Sequence, residues 1–550
     1  MLALLIRLPA INNVLYVDEG HYANIKAYFS SQYYVENSLK PMDKEKAESY
    51  FAEKFNTIDS IAHHPPLGMA LFTASAALLG KHTYSFRIIP LIFGLISIIL
   101  IYLIAGMIYS KKTAIYSAAL YAAAFYPVLS SLQTDLHGSI QTALFLTAAY
   151  FFFKHEKTEQ KKWFYLSAAA AGLALLNVIT GLFIFVITGA YMLIQNKNII
   201  KTGIEMAKYL AVSAAVFSIF PIMSFMLNKD IFLRTLLGFS MLSQNINPRI
   251  IVFLLIWAGP LLLGLAALGM KKLRKQDSYF VVWLLLVLVS SIFTYSNASV
   301  DRYLMLAIAP LCLFSGKALG RTGFSAKHAI TGAGIFLLFL ALLEYLNFFR
   351  TQYIGHDLTS YIAMAKQLSW NFYFPITGPT GPTFGIAFSS IALSLILSGI
   401  MFAPAAFFLI KKQTNLFRYG FVAFIAISLA FNTILLQEYL VPSAHPNISK
   451  ANYELIKYYE ENSLPEKVYT NNRALYWYLG KNSKTLFSYT EESMERTQSI
   501  ISQGNITVML IDFPKIPRTG YIWQHLKEYS CTLKKTAYSN SKETGYVYEC

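Results

Sequence analysis

Long apolar runs separated by short basic turns set the pattern of this chain. Runs such as "IIPLIFGLISIILIYLIAGMIY" (88–109) and "IVFLLIWAGPLLLGLAALGM" (251–270) recur through residue 437. Each reaches the roughly 20 residues needed to cross a hydrocarbon core. Lipid satisfies no backbone N–H or C=O, so such runs must be helices. The pattern predicts about thirteen spans, near 1–16, 88–109, 113–130, 138–153, 163–177, 181–195, 208–227, 250–270, 279–295, 303–319, 329–348, 386–410 and 419–437. The first is short: the 16 residues up to Tyr16 make about 24 Å of helix against a core of about 30 Å. Either the bilayer thins there or residues precede Met1, and a basic start and small-residue cleavage site of a signal peptide are lacking.

Between spans one and two lies a long polar loop, 17–87, amphipathic and acidic at "MDKEKAESYFAEKF" (42–55). It closes with "PPLGMALFTASAALLG" (65–80), too short to span and expected as an interfacial or re-entrant helix. After residue 438 the pattern changes. "KVYT" (467–470), "TLFSY" (485–489) and "ITVMLID" (506–512) read as strands between helical stretches at 451–461 and 491–503. That alternation predicts a small α/β domain over 438–550, either a plain solvated cap or a part of the functional apparatus. The fold class is thus a polytopic all-α membrane domain, 1–437, with an α/β domain after it.

Composition supports this reading: 55% of the 550 residues are hydrophobic and only 14% charged, against about 25% charged in a soluble domain. The net charge of +17 would suggest nucleic acid in a soluble chain. Here Lys and Arg cluster in alternate loops, including "SKK" (110–112), "KKLRK" (271–275) and "KK" (411–412). Loops on one side carry about 19 of them and the short loops on the other about 6. The excess is therefore topology, with the N-terminus cytoplasmic and the tail after residue 437 outside, and no nucleic-acid partner is implied. Three Asn-x-Ser/Thr triplets, at Asn297, Asn447 and Asn505, fall on the outer side. Cys312 lies in a span, while Cys531 and Cys550 lie in the outer tail, where a disulfide is permitted.

Ionisable residues at membrane depth are candidate functional groups, and several gather at outer span ends. Asp18 and Glu19 of "YVDEGHYAN" (16–24) follow span one, and His63 and His64 precede the Pro-Pro of the same loop. Arg87 of "SFRIIPLIFGL" (85–95), Asp135 of "YPVLSSLQTDLHGSI" (126–140) and Arg302 of "SVDRYLMLAIAP" (299–310) emerge on the same side. All can share one outward-facing cavity, with His137 expected as a polar neighbour of Asp135. No G-x-x-x-x-G-K-[ST] loop is present, and "GPTGPTFG" (378–385) reads as a turn, not a phosphate cradle.

In order along about 300 residues, Arg7, "DEGHYA" (18–23), "HPPL" (64–67), "FRIIPLIFGL" (86–95), "P…S…TDLHG" (127–138) and "DRYL…P" (301–310) resemble one family. It is the polyprenyl-phosphate-sugar-dependent glycosyltransferases of the GT-C fold, which include dolichyl-phosphate-mannose–protein mannosyltransferases and lipid A aminoarabinose transferases. The resemblance implies an integral-membrane enzyme that moves a sugar from a polyprenyl-phosphate donor to a hydroxyl acceptor of a protein, lipid or glycan, outside the membrane. It implies Asp18 as general base, with Glu19 assisting acceptor binding, and an inverting displacement of lipid phosphate. Arg302 matches a family arginine near that phosphate, and a guanidinium fork suits it. His64 stands at a basic position that contacts the phosphate in relatives. His63 departs from an acidic residue there, and Arg87 serves either the phosphate or helix packing. Arg7 and Asp135 join the site by the same likeness.

Other departures sharpen the comparison. Many relatives carry a Lys where spans five and six meet outside; "LLNVITG" (175–181) has none and leaves Asn177 nearby. The loop 228–249 has no His, so the zinc site of some bacterial relatives is not expected. A cation held by His63, His64 and Asp18 is the lesser alternative to a metal-free enzyme, since adjacent histidines seldom share one ion. The oligosaccharide-transferase signature "WWDYG" is missing. The rival class is a transporter or flippase, which would place charges mid-span at broken helices; a non-catalytic scaffold is the third.

Overall fold

The structure, a computed structural model, describes residues 2–13, 65–80, 82–196, 198–227, 254–293, 301–322, 325–348, 383–410, 415–441, 448–470, 504–512, 521–539 and 542–550, with shorter pieces between 352 and 377 and at 483–485, 498 and 501–502. Asp18, Glu19, His63 and His64 lie outside these residues.

Contacts divide the chain into two units, one of residues 1–11, 25–327 and 402–421, the other of 12–24, 328–401 and 422–550. The first begins with α1 (Leu2–Arg7), which tightens into a 3₁₀ turn at Leu8–Ala10. Further along the chain come α2 (Leu67–Leu79), α3 (Thr83–Ile108), α4 (Lys111–Ala123) and α5 (Phe125–Ser130). A π-helical turn, Leu136–Ile140, then leads into α6 (Gln141–Thr158). There follow α7 (Lys161–Asn177), α8 (Leu182–Asn196), α9 (Ile199–Phe217), α10 (Ile219–Leu227), α11 (Gly259–Met270), α12 (Asp277–Phe293) and α13 (Asp301–Gly320).

Among the described residues six helical segments are long and apolar enough to cross a membrane: Thr83–Ile108, Leu136–Thr158, Ile179–Asn196, Ala326–Leu346, Phe388–Phe407 and Phe417–Leu440. A seventh is the pair α9 and α10, bent by 41°. Other expected spans appear as shorter helices. The one expected at 113–130 breaks at Ala124, whose backbone is extended; Pro127 in the first turn of α5 explains the break, because its ring excludes a helical carbonyl four residues back.

At the centre of the first unit runs α13, packed against α4, α11 and α12. Its residues Leu304–Leu313 are all buried. Glycine lets the backbones approach: a Cβ on Gly269 would collide with the Phe314 carbonyl, and one on Gly316 with Ser117. Without a hydrophobic drive between helices in lipid, such small-residue contacts do the packing. At the end of α13 expected to face the cytoplasm, Lys317 pairs with the buried Asp277, which also accepts from Tyr109 Oη at 2.5 Å and from the Arg274 N–H at 2.6 Å.

The second unit holds α14 (Ala326–Phe348), most of α15 (Phe388–Ile410) and of α16 (Asn415–Leu440) and, between α14 and α15, a three-stranded sheet that the sequence pattern did not suggest. Its strands are β1 (Gln352–Tyr353), β2 (Phe372–Thr377) and β3 (Thr383–Ala387), β1 parallel and β3 antiparallel to the central β2.

After α16 come α17 (Ile448–Glu461), β4 (Val468–Thr470), β5 (Ser483–Thr485), β6 (Thr507–Ile511), α18 (Tyr521–Glu528), β7 (Thr532–Ser539) and β8 (Lys542–Glu549). The strands form one sheet in the order β5-β4-β6-β8-β7, parallel through β6 and antiparallel beyond it. Alternation along β6 feeds both faces: Met509 and Ile511 pack with Leu455 of α17, Val508 and Leu510 with Ile522 and Leu526 of α18. The expected α/β character holds, and β7, β8 and α18 extend it. Cys531 and Cys550, 19 residues apart, form a disulfide that ties the start of β7 to the chain after β8. Cys312 is a free, buried thiol.

Candidate active site

Two buried arginines hold the first helix. Arg7, at the end of α1, donates from Nε to Ser131 Oγ at 2.6 Å and from Nη1 to the carbonyls of Ala3 and Ala122 at 2.8 and 3.0 Å. Arg87, in the second turn of α3, donates from Nη1 to the carbonyls of Ala10 and Ile11 at 3.1 and 3.4 Å. Those carbonyls belong to the last helical turn, where no intrahelical donor remains. A guanidinium suits the place because it supplies donors and complements the negative end of the helix. These bonds give Arg87 a part in helix packing. The pair fixes where the chain leaves the first helix, seven residues before Asp18.

Asp135 sits in the connection between α5 and the π-helical turn, with 2% of its surface exposed. His137 Nδ1 lies 3.6 Å from its Oδ1, as the polar-neighbour reading expects. The turn is dense with polar side chains. Ser130 and Ser139 hydroxyls are 3.2 Å apart, and Thr142 Oγ1 donates to the Gly138 carbonyl at 3.0 Å. Only glycine fits at 138: a Cβ there would collide with Ser130 Oγ and come within 3.1 Å of Asp135 Oδ2. π-Helical turns inside helices are frequent at functional sites.

Asn177 is fully buried at the end of α7. Its Nδ2 donates to the Leu136 carbonyl at 2.6 Å and to Gln141 Oε1 at 2.9 Å, and Gln141 Nε2 reaches Thr180 Oγ1 at 3.3 Å. The sequence reading passed over Gln141, Thr180 and Ser131, whose types carry no signal by themselves. Arg302 is the second residue of α13, two residues before its buried stretch begins at Leu304. The structure thus brings Arg7 and Arg87 to the first helix, and Asp135, His137 and Asn177 to one turn. Among the described residues no group of three or more His, Cys, Asp or Glu could hold a metal ion; the pair His63 and His64 lies outside them.

Residues 63–225 match the family model described as dolichyl-phosphate-mannose-protein mannosyltransferase. That span contains Arg87, Asp135 and Asn177. No curated protein matches the chain by sequence. By structure it is similar to ArnT from Cupriavidus metallidurans in the apo state, with a TM-score of 0.61 and 14% identity over 99% of this chain and 96% of that one. It is similar also to ArnT from the same organism bound to undecaprenyl phosphate, with a TM-score of 0.60 and 14% identity over 99% and 96%. The chain is therefore a membrane protein of the GT-C glycosyltransferase fold, related over residues 63–225 to the dolichyl-phosphate-mannose-protein mannosyltransferases.

Proposed function

We propose that this chain is an integral-membrane glycosyltransferase that moves a sugar from a polyprenyl-phosphate donor to a hydroxyl acceptor on the extracytoplasmic face. The observation that carries the reading is the coincidence of the mannosyltransferase family match over 63–225 with a GT-C fold over nearly the whole chain. ArnT of this fold has been seen with undecaprenyl phosphate, which supports a lipid-phosphate donor.

In this reading Asp18 is the general base. It takes the proton of the acceptor hydroxyl as that oxygen bonds to the anomeric carbon, while the bond from that carbon to the lipid-phosphate oxygen breaks and the configuration inverts. The bonding electrons leave with the phosphate, so charge stabilisation matters more than protonation of the leaving group. Arg302 and His64 supply it, Arg302 through a planar fork. Glu19 binds the acceptor, and His63 flanks His64. Asp135, beside His137, offers a further carboxylate to a sugar or acceptor hydroxyl. Arg7 and Arg87 set the exit of the first helix. No metal is needed, and a divalent cation at His63, His64 and Asp18 stays the alternative. The N-terminus is cytoplasmic, and residues 438–550 form an extracytoplasmic domain of a multi-pass cell-membrane protein.

Purified protein given a panel of radiolabelled polyprenyl-phosphate sugars tests this. Label should pass from one donor to a protein, glycolipid or glycan hydroxyl. Absence of transfer from every donor, with uptake of any of them across vesicle membranes, would replace the enzyme by a transporter.

A further inference from the structure

Asn177 sits where three parts of the first unit meet. Behind it is the end of α7. On one side is the π-helical turn, whose Leu136 carbonyl accepts from Nδ2 at 2.6 Å. On the other is the start of α2: a Cβ on Gly68 would stand 2.7 Å from Asn177 Oδ1 and collide with Leu136 Cδ2. So α2, which begins two residues after His64-Pro65, packs on the same amide and the same leucine that fix the Asp135 turn. Gln141 accepts the second donation at 2.9 Å and is itself anchored to Thr180 Oγ1 at 3.3 Å.

The π-helical turn needs such a tie. Gly138 interrupts its helical dihedrals, so its bonding departs from a regular helix and side chains take part: Asn177 Nδ2 donates to the Leu136 carbonyl and Thr142 Oγ1 to that of Gly138. A buried carbonyl without a donor is costly, and the chain would otherwise relax to find one. Asparagine fits this place because one NH₂ group offers two donors at a fixed angle. A lysine ammonium would also donate there, but as a charge in a site where Leu136 and Gln141 offer only neutral oxygens.

We infer that Asn177 is a positioning residue: with Gln141 and Thr180 it holds the Asp135–His137 turn and the start of α2 in one register, and it makes no contact with donor phosphate. The inference rests on the proposed glycosyltransferase reading for its effect on rate, but not for its effect on structure.

The test uses the full-length protein in lipid nanodiscs and two readouts. Hydrogen exchange of amides 134–141 should quicken in Asn177→Ala, while amides of α3 keep their protection. With labelled polyprenyl-phosphate sugar, kcat should fall on the order of ten- to a hundredfold, the scale of a misplaced catalytic group. The donor KM should stay within about twofold. Asn177→Ser, which keeps one donor, should recover part of the rate. Thr180→Val, a milder cut in the same chain, should show a smaller loss of the same kind if Asn177→Ala does not fold. Unchanged exchange at 134–141, or unchanged kcat, overturns the inference. So does a rise in donor KM with kcat intact, which would make Asn177 a donor contact. Should wild type transfer no sugar at all, the functional reading fails, and the exchange result still decides whether the clamp exists.

Discussion

Arg87 Nη1 donates to the carbonyl of Ala10 at 3.1 Å, joining α3 to the end of the first helix across 77 residues of sequence. A cation that the sequence leaves between phosphate contact and helix packing thus has a structural task. Arg87→Ala would orphan helix-end carbonyls at about 1–3 kcal/mol each. It should therefore lower thermal stability measurably, while the affinity of the folded fraction for a non-hydrolysable donor analogue stays close to wild type. Lost affinity with unchanged melting would return Arg87 to the phosphate.

Lys317 and Asp277 form an ion pair with 4% and 0% of their side chains exposed. Breaking a buried pair from one side leaves a lone charge and costs about 3–5 kcal/mol, whereas removing both is far milder. Lys317→Met should destabilise strongly. Lys317→Met with Asp277→Asn, which keeps an acceptor for Tyr109 and the Arg274 N–H, should regain most of the loss in a thermal melt. Equal damage by the single and double variants would show that the pair does not act as a unit.

Cys531 and Cys550 close a loop of 19 residues, for which the chain-entropy estimate is about 3 kcal/mol. Cys531→Ser with Cys550→Ser should lower the unfolding transition of the sheet domain by about that much, read by chemical denaturation. Reductant should then lower the wild-type transition and leave the variant's where it is.

Ser483 opens β5 in the C-terminal sheet, which we propose lies outside on the strength of the loop charges. Ser483→Cys should react with a membrane-impermeant thiol reagent on intact cells. Labelling that appears only after lysis would invert the topology.

How far the sequence reveals this molecule depends on what kind of interaction carries each part. α3 and α16 are legible because lipid demands long apolar helices. The break at Ala124 was not foreseen, although Pro127 signals it, because a span and its broken form share one hydropathy. β7 and β8 escaped notice: Lys534 and Lys535 interrupt the alternation on an edge strand, where charge is the usual protection. At the site, Arg7, Arg87 and Asp135 stand out as charges in apolar surroundings. Their partners do not, because Ala10, Ala122 and Leu136 contribute backbone carbonyls, which no residue type advertises. Gln141 and Thr180, 39 positions apart, become neighbours only through the packing of α6 and α7.

The most direct test of the account is Asp18→Asn in full-length protein, assayed for transfer and for donor binding side by side. The amide keeps the shape of the carboxylate but cannot take the acceptor's proton, and a positioned base contributes roughly 10²–10⁴-fold. Transfer from the labelled polyprenyl-phosphate sugar should fall by that factor, while binding of the same donor stays within about twofold of wild type. Wild-type turnover by Asp18→Asn would contradict the account and remove Asp18 from the chemistry.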